Sequence, residues 1–479
     1  MSASRFPDGV SGRLPPPFVW SGREGGADVE LSGKVPEWLH GQLVRTCPAV
    51  FELPEWRAGH WFDGLCLLYG FRFERGKVTF AQRLLASQAL DNALAGRRDR
   101  SQFGTPMQRG FLQRLFQPKP KTTDNANVNV IPWQGQLLAM TETLHEHVVD
   151  GATLESKGVR PVDRALGKLS STTAHPHFDR ARGAMVNLGS HYGPRSEVVV
   201  FREDAQSGAV TIEGRLPRKR MPYVHSFGMS ESAVVVVEHP LTVNPVSLLW
   251  SDRPFIDHFA WRPQDGTRFW KLDRRTGRWT SYETEAFFTF HVVNQFEEGD
   301  DVVIDFIAYD DVDWIQRLGT SELGATLPSF DTPLMRARLT PGRKSVTPER
   351  ISGACFEFPA INYGRSAGNP YAFAWGADLR SDLDVFTSTT LKVELATGVV
   401  TAFAEPKWAL GEPVFVAAPN ASSEEDGVLL SVGTHRDGGR SALFVLSAQS
   451  LEPLGRAEVA VDIPLGFHGS FARAASERV

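Results

Sequence analysis

Four histidines stand in surroundings that could make them metal ligands. They are His175 in SSTTAHPHF, His225 in YVHSFGMSESAVVVVEHPL, His291 in FFTFHVVNQFEEGDDVVIDF and His468 in IPLGFHGSF. Imidazole is the commonest side-chain ligand for metals. Four neutral imidazoles with no thiolate suit iron, copper, nickel or zinc. A metal would satisfy one ring nitrogen of each, and the second nitrogen would then need an acceptor. Three carboxylates lie in otherwise apolar strand contexts where that need could be met: Glu142 in LLAMTETL, Glu357 in CFEFPAINY and Glu412 in GEPVFV. A simpler reading competes. The chain has 13 histidines, and one taken singly is more often a hydrogen-bonded structural residue. The glutamates could equally be unrelated buried salt bridges with arginine. No HExxH word or cysteine pair supplies a local motif. The close pairs His145/His147 and His175/His177 are weak signals, and spacing alone does not join the four candidates.

The elements that would position these residues read as strands. Pro176 pushes His175 into extended backbone. His468 lies between Gly466 and Gly469, where chains can approach closely. Val234 to Val237 is too apolar and β-branched for anything but a buried strand. Short apolar runs broken by Gly, Asp, Asn and Pro recur along the chain. Several are hairpins: FRFERGKVTF turns at Arg75-Gly76, and IPWQGQLLAM turns at Gln134-Gly135. So many hairpins with little helix predict an all-β propeller or large sandwich. No repeat of fixed period is visible, so propeller blades would have to be strongly diverged.

Two stretches depart from this pattern. From Leu84 to Lys121 the spacing predicts a basic helix carrying Met107, Phe111, Leu112, Leu115 and Phe116, with Arg109 and Arg114, ended by Pro118. Lys119 and Lys121 follow. The second stretch, Val246 to Trp261, is aromatic with interspersed charge and rimmed by Trp250 and Trp261. The first fits either a helix lying in a membrane surface or a cap over the β body, and the second either an interfacial patch or a buried insertion loop.

The chain of 479 residues is 42% apolar and can bury a large core. Its formal charge of -5 argues against a nucleic-acid partner. Three cysteines (Cys47, Cys66 and Cys355) give no disulfide framework and fit a reducing cytoplasm. The N-terminal segment has no apolar secretory core, and no apolar run is long enough to span a bilayer.

Several words are specific to one family: HWFDGLCLLYGFRF, DNANVNV, TAHPHF, YVHSFGMSE, FHVVNQFEEGDDVVID, FEFPAINY, EEDGVLLSV and the closing FHG. In wording and order the chain resembles the carotenoid cleavage oxygenases, most closely their animal-type branch with the carotene oxygenases and retinoid isomerohydrolase. The resemblance runs from near Gly41 to the end. It implies a single seven-bladed β-propeller over residues 1–479 with a small helical cap from insertions near 84–121 and 245–262. It implies iron(II) on His175, His225, His291 and His468, with Glu142, Glu357 and Glu412 accepting hydrogen bonds from three of the imidazoles. Val128 matches a small residue beside an open metal position. Two words depart: CPAVFEL replaces a Gly-Pro-rich segment, and Val292 stands where animal members often carry a second histidine.

The implied activity is oxidative cleavage of a conjugated double bond in a carotenoid or apocarotenoid, with O2 as co-substrate and aldehydes, retinal among them, as products. A lipophilic polyene implies a peripheral membrane contact from the cytoplasm. Retinoid isomerohydrolase chemistry is one alternative on the same site. Stilbenoid cleavage is another, although it needs a pocket lysine and tyrosine that the sequence does not place. A propeller that only binds an apolar ligand or a protein is the non-enzymatic alternative.

Overall fold

The computed structural model describes residues 14–323, 331–378 and 389–474; the first 13 residues, which carry most of the segment expected to lack a secretory core, lie outside them. The hairpins form where expected. Arg75 (φ 48°) and Gly76 (φ 73°) join strands Leu65–Glu74 and Lys77–Leu84, and Gln134 (φ 49°) and Gly135 (φ 79°) join Asn129–Trp133 to Gln136–Met140. Left-handed backbone at both turn positions matches the strands' own twist. The valine run lies in Ala233–Glu238, every residue of which is buried.

Among the described residues, seven sheets of four to six strands follow one another in chain order. Apolar side chains fill the seams between them, as where Val235 and Phe269 meet Ile304 and Phe306. Two long-range pairings close the ring. The last strand, Gly469–Arg473, joins the first sheet beside Gly41–Val50. An early strand, Val29–Gly33, joins the last sheet beside Pro453–Val459. The fold is a seven-bladed β-propeller.

The propeller explains how distant residues meet. Each sheet has an edge strand, and the residue at or just before its start points toward the common axis. These strands are Gly469–Arg473, Asn129–Trp133, His177–Asp179, Gly228–Met229, Val292–Glu298, Glu357–Ala360 and Val414–Ala417. The residues at their entries are His468, Val128, His175, His225, His291, Glu357 and Glu412. Seven blades thus deliver four histidines, two glutamates and a valine to one place. Glu142 follows the second strand of its blade, Gln136–Met140.

The cap differs from the predicted long basic helix. Only Gln88–Leu94 and Phe111–Phe116 are helical in the 84–121 stretch. Pro106 and Gly110 interrupt the four-residue spacing, so Met107 and Arg109 precede the helix and turn inward. Arg109 is buried, paired with Asp252 at 2.7 Å and donating to the carbonyls of Ser251 and Gln117. Phe111, Leu112, Leu115 and Phe116 face outward, 54–77% exposed. In the second stretch Trp250 is exposed, whereas Trp261 is half-buried in strand Phe259–Trp261 and does not rim a patch. The backbone N–H of Trp250 donates to the Pro118 carbonyl at 2.9 Å, which joins the two stretches.

Candidate metal centre

The four histidines converge. One nitrogen from each of His175, His225, His291 and His468 lies within 4.8 Å of the others. His175 Nε2 is 2.9 Å from His225 Nε2, and His291 Nε2 is 3.2 Å from His468 Nε2. A dication bonded to imidazole nitrogens at about 2.1 Å sets neighbouring ligands roughly 3 Å apart, so the donor set fits a metal.

The three glutamates stand behind the rings. Glu142 accepts from His225 Nδ1 at 2.6 Å, Glu357 from His291 Nδ1 at 2.6 Å and Glu412 from His468 Nδ1 at 2.7 Å. Each bond puts the proton on Nδ1 and turns the Nε2 lone pair inward. His175 has no carboxylate behind it among the described residues.

Burial favours the neutral, ligating form of His175, His225 and His468. Burial lowers the pKa of His225 against the pull of Glu142. Burial, then the facing rings of His468, His225 and His291, put His175 well below the ordinary histidine value. His468 falls to about 4 through burial, although Glu412 opposes it. Burial pushes Glu357 up, but His291, Tyr309 and a backbone N–H together outweigh it and leave a lowered, ionised carboxylate.

Local backbone serves this arrangement. A Cβ on Gly466 would lie 2.6 Å from Cys47 Cβ, and one on Gly469 2.4 Å from Arg45 Cγ. Only glycine lets the His468 segment pass so close to the first blade. Phe358 holds a left-handed φ of 50° beside a register shift in its strand, and its N–H donates to Glu357 at 2.8 Å. That strained position aims the carboxylate at His291. The Val128 carbonyl accepts from His468 N at 3.0 Å, which fixes this valine beside the cluster.

Three residues that sequence reasoning missed complete the centre. Tyr223 donates to both Glu142 oxygens at 2.9 Å, and Tyr309 donates to Glu357. Arg45 pairs with Glu412 at 3.2 Å and donates to the Phe467 carbonyl at 2.7 Å. Tyr223 had a signal, since it lies two residues from His225 in extended chain, on the same side. Arg45 had one as a charge inside the apolar word QLVRTC.

Above the histidines opens a cavity of about 240 Å³. Phe62, Phe103, Phe290, Trp314, Phe358 and Phe467 wall it, and it runs to Pro245, Leu248 and Leu249 beside the exposed cap. Lys119 and Tyr192 also line it, the residue types that the sequence alone did not place.

Comparison with known proteins agrees with this architecture. Solved structures of a Synechocystis apocarotenoid oxygenase superpose with a TM-score of 0.84 at 24% identity, over 96% of this chain and 98% of that one. The carotenoid-cleaving dioxygenase of Mustela putorius furo is 31% identical over 92% of this chain and 93% of its own length. The Homo sapiens protein of that name is 30% identical over 93% and 88%. A carotenoid isomerooxygenase of Galleria mellonella is 29% identical over 92% of both chains. The family model described as retinal pigment epithelial membrane protein matches residues 21–473, and the chain belongs to that family.

Proposed function

We propose that this chain is a non-haem iron(II) dioxygenase that cleaves one conjugated carbon–carbon double bond of a carotenoid or apocarotenoid to two carbonyl products. The carrying observation is the four-imidazole cluster, backed by three glutamates, at the floor of an apolar cavity in a chain of this family. His175, His225, His291 and His468 would hold the iron, with Glu142, Glu357 and Glu412 orienting three of them. Iron(II) bound there supplies the activation of dioxygen. The protein supplies the rest. Its glutamates hold the rings in the ligating tautomer. Its aromatic wall excludes water and grips a polyene by packing rather than polar contact. The depth of the cavity selects which bond stands opposite the histidines. No side chain need exchange a proton with substrate, and the carboxylates at the floor are already spent on donors.

The test is aerobic incubation of the purified iron-loaded chain with carotenoids, apocarotenoids, a retinyl ester and a stilbene. Aldehydes are read by mass alongside oxygen uptake. Polyene aldehydes with matching oxygen consumption are expected. An isomerised alcohol without oxygen uptake would replace this reading with isomerohydrolase chemistry. Phenolic aldehydes from the stilbene alone would replace it with stilbenoid cleavage. Protein that takes up no iron would leave a binding propeller.

Glu412→Gln is expected to lower turnover while cutting metal affinity only about 10- to 100-fold. Iron-to-protein ratios after chelator dialysis check this, and unchanged iron and turnover would remove Glu412 from the centre.

The substrate's apolarity gives the exposed cap a role in peripheral membrane contact. No helix among the described residues is long and apolar enough to cross a bilayer. Phe111, Leu112, Leu115, Phe116, Val246 and Trp250 instead present a surface beside the cavity mouth. Leu112→Asp with Phe116→Asp is expected to cut liposome partitioning at least about tenfold, since each side chain contributes roughly 1.5–3 kcal/mol when withdrawn from water. Cleavage of detergent-dispersed substrate should persist. Co-sedimentation equal to wild type would assign the patch another role.

A further inference from the structure

The cavity mouth carries charge that a plain hydrocarbon would not use. Lys119 and Arg253 both line it at the cap end. Lys119 Nζ donates to the Ser170 hydroxyl at 2.9 Å, and among the described residues no carboxylate pairs with it. The nearby acids are engaged elsewhere. Asp63 accepts from Phe103 N, Gly104 N and the Thr105 hydroxyl, and Asp252 is held by Arg109. Among the described residues the Arg253 side chain donates to the Asp257 backbone carbonyl and pairs with no carboxylate. Ser171, Ser190, Thr122 and Tyr192 add polar groups to the cavity lining. Partial burial lowers the Lys119 pKa, so its ammonium gains from an anionic neighbour.

We infer that Lys119 receives an oxygenated end of the polyene, a carboxylate most strongly, so that the preferred substrate is an apocarotenoid with one polar terminus rather than a hydrocarbon carotene. The apolar end then lies deep, over the histidines, and the polar end stays at the mouth. The inference rests on the cleavage reading above and narrows its substrate class. Lys119 touches no proposed metal ligand and acts on substrate binding alone.

The test compares an apocarotenoic acid with its methyl ester, identical in chain. Wild-type iron-loaded protein is expected to favour the acid by about tenfold in kcat/KM, as one charge-assisted contact near solvent allows. Lys119→Met should abolish that preference by raising KM for the acid far more than for the ester, and Lys119→Arg should retain it. Binding of both compounds to cobalt-loaded protein, read by tryptophan quenching, scores the same preference without turnover. Acid preference in binding with no cleavage of either compound would therefore sink the cleavage reading and keep the lysine's role. An acid-to-ester ratio near one in wild type, or one that survives Lys119→Met, overturns the inference. So does a Lys119→Met variant that keeps the ratio and loses binding only to phosphatidylglycerol vesicles, since the lysine would then serve a lipid headgroup.

Discussion

Replacing His225 by alanine is expected to leave a folded propeller that neither retains iron nor cleaves polyene. Removing an outer partner of a metal ligand typically costs 10- to 100-fold in affinity, and removing the ligand itself should exceed roughly a hundredfold. The fold should survive because Glu142 is not stranded: Tyr223 still donates to both its oxygens at 2.9 Å. The stability cost should therefore stay within the ordinary range for a single substitution, about 3 kcal/mol or less. His177 provides the contrast. It lies two residues from His175, yet its ring nitrogens are engaged by the Tyr363 hydroxyl at 3.0 Å and the Phe227 carbonyl at 2.9 Å. His177→Ala should lose stability and keep iron. Elemental analysis and thermal melting of the two variants check the pair of outcomes. A His225→Ala protein that keeps stoichiometric iron and full turnover would break the proposed centre.

The two histidines also show what was legible in the sequence. TAHPHF offers two rings but not which of them faces the cluster, because alternation along extended chain needs the position of the axis to become a direction. His225, His291 and His468 stood out because each is local to its own word. Glu357 and Glu412 stood out because a carboxylate among phenylalanines or beside Pro-Val-Phe has no solvated face to occupy. Arg45 bore the same mark and was passed over, since one arginine in QLVRTC also fits an outward strand position. Only the pairing of Gly41–Val50 with both Leu65–Glu74 and Gly469–Arg473 shows that the strand is enclosed. Ring closure was equally silent. Val29–Gly33 meets Pro453–Val459 across almost the whole chain, and such pairing leaves no local pattern. In the cap, the four-residue spacing from Met107 through Phe111 to Leu115 is real, but Pro106 and Gly110 confine the helix to its second half.

Arg45 should therefore be the substitution outside the histidines with the largest effect. Its side chain is 2% exposed beside a Glu412 side chain 10% exposed. Burial works against its charge, yet Tyr69 and Glu412 outweigh that and raise its pKa. Arg45→Met would leave Glu412 buried without its cation, which costs on the order of 3–5 kcal/mol. The double variant Arg45→Met/Glu412→Gln should lose less than the sum of the two single changes, by about 1–3 kcal/mol. The charge balance of the centre adds a further expectation. Three carboxylates, one guanidinium and a dication sum to zero, so the metal-free protein depends on Arg45 more than the loaded one does. Chemical denaturation of apo and iron-loaded protein should show the larger loss in the apo form, with metal restoring part of it by preferential binding to the folded state. Equal losses in both forms would mean that Arg45 braces the first blade against the His468 strand without balancing the charge of the site. A variant as stable as wild type in both would show that Glu412 finds its compensation elsewhere.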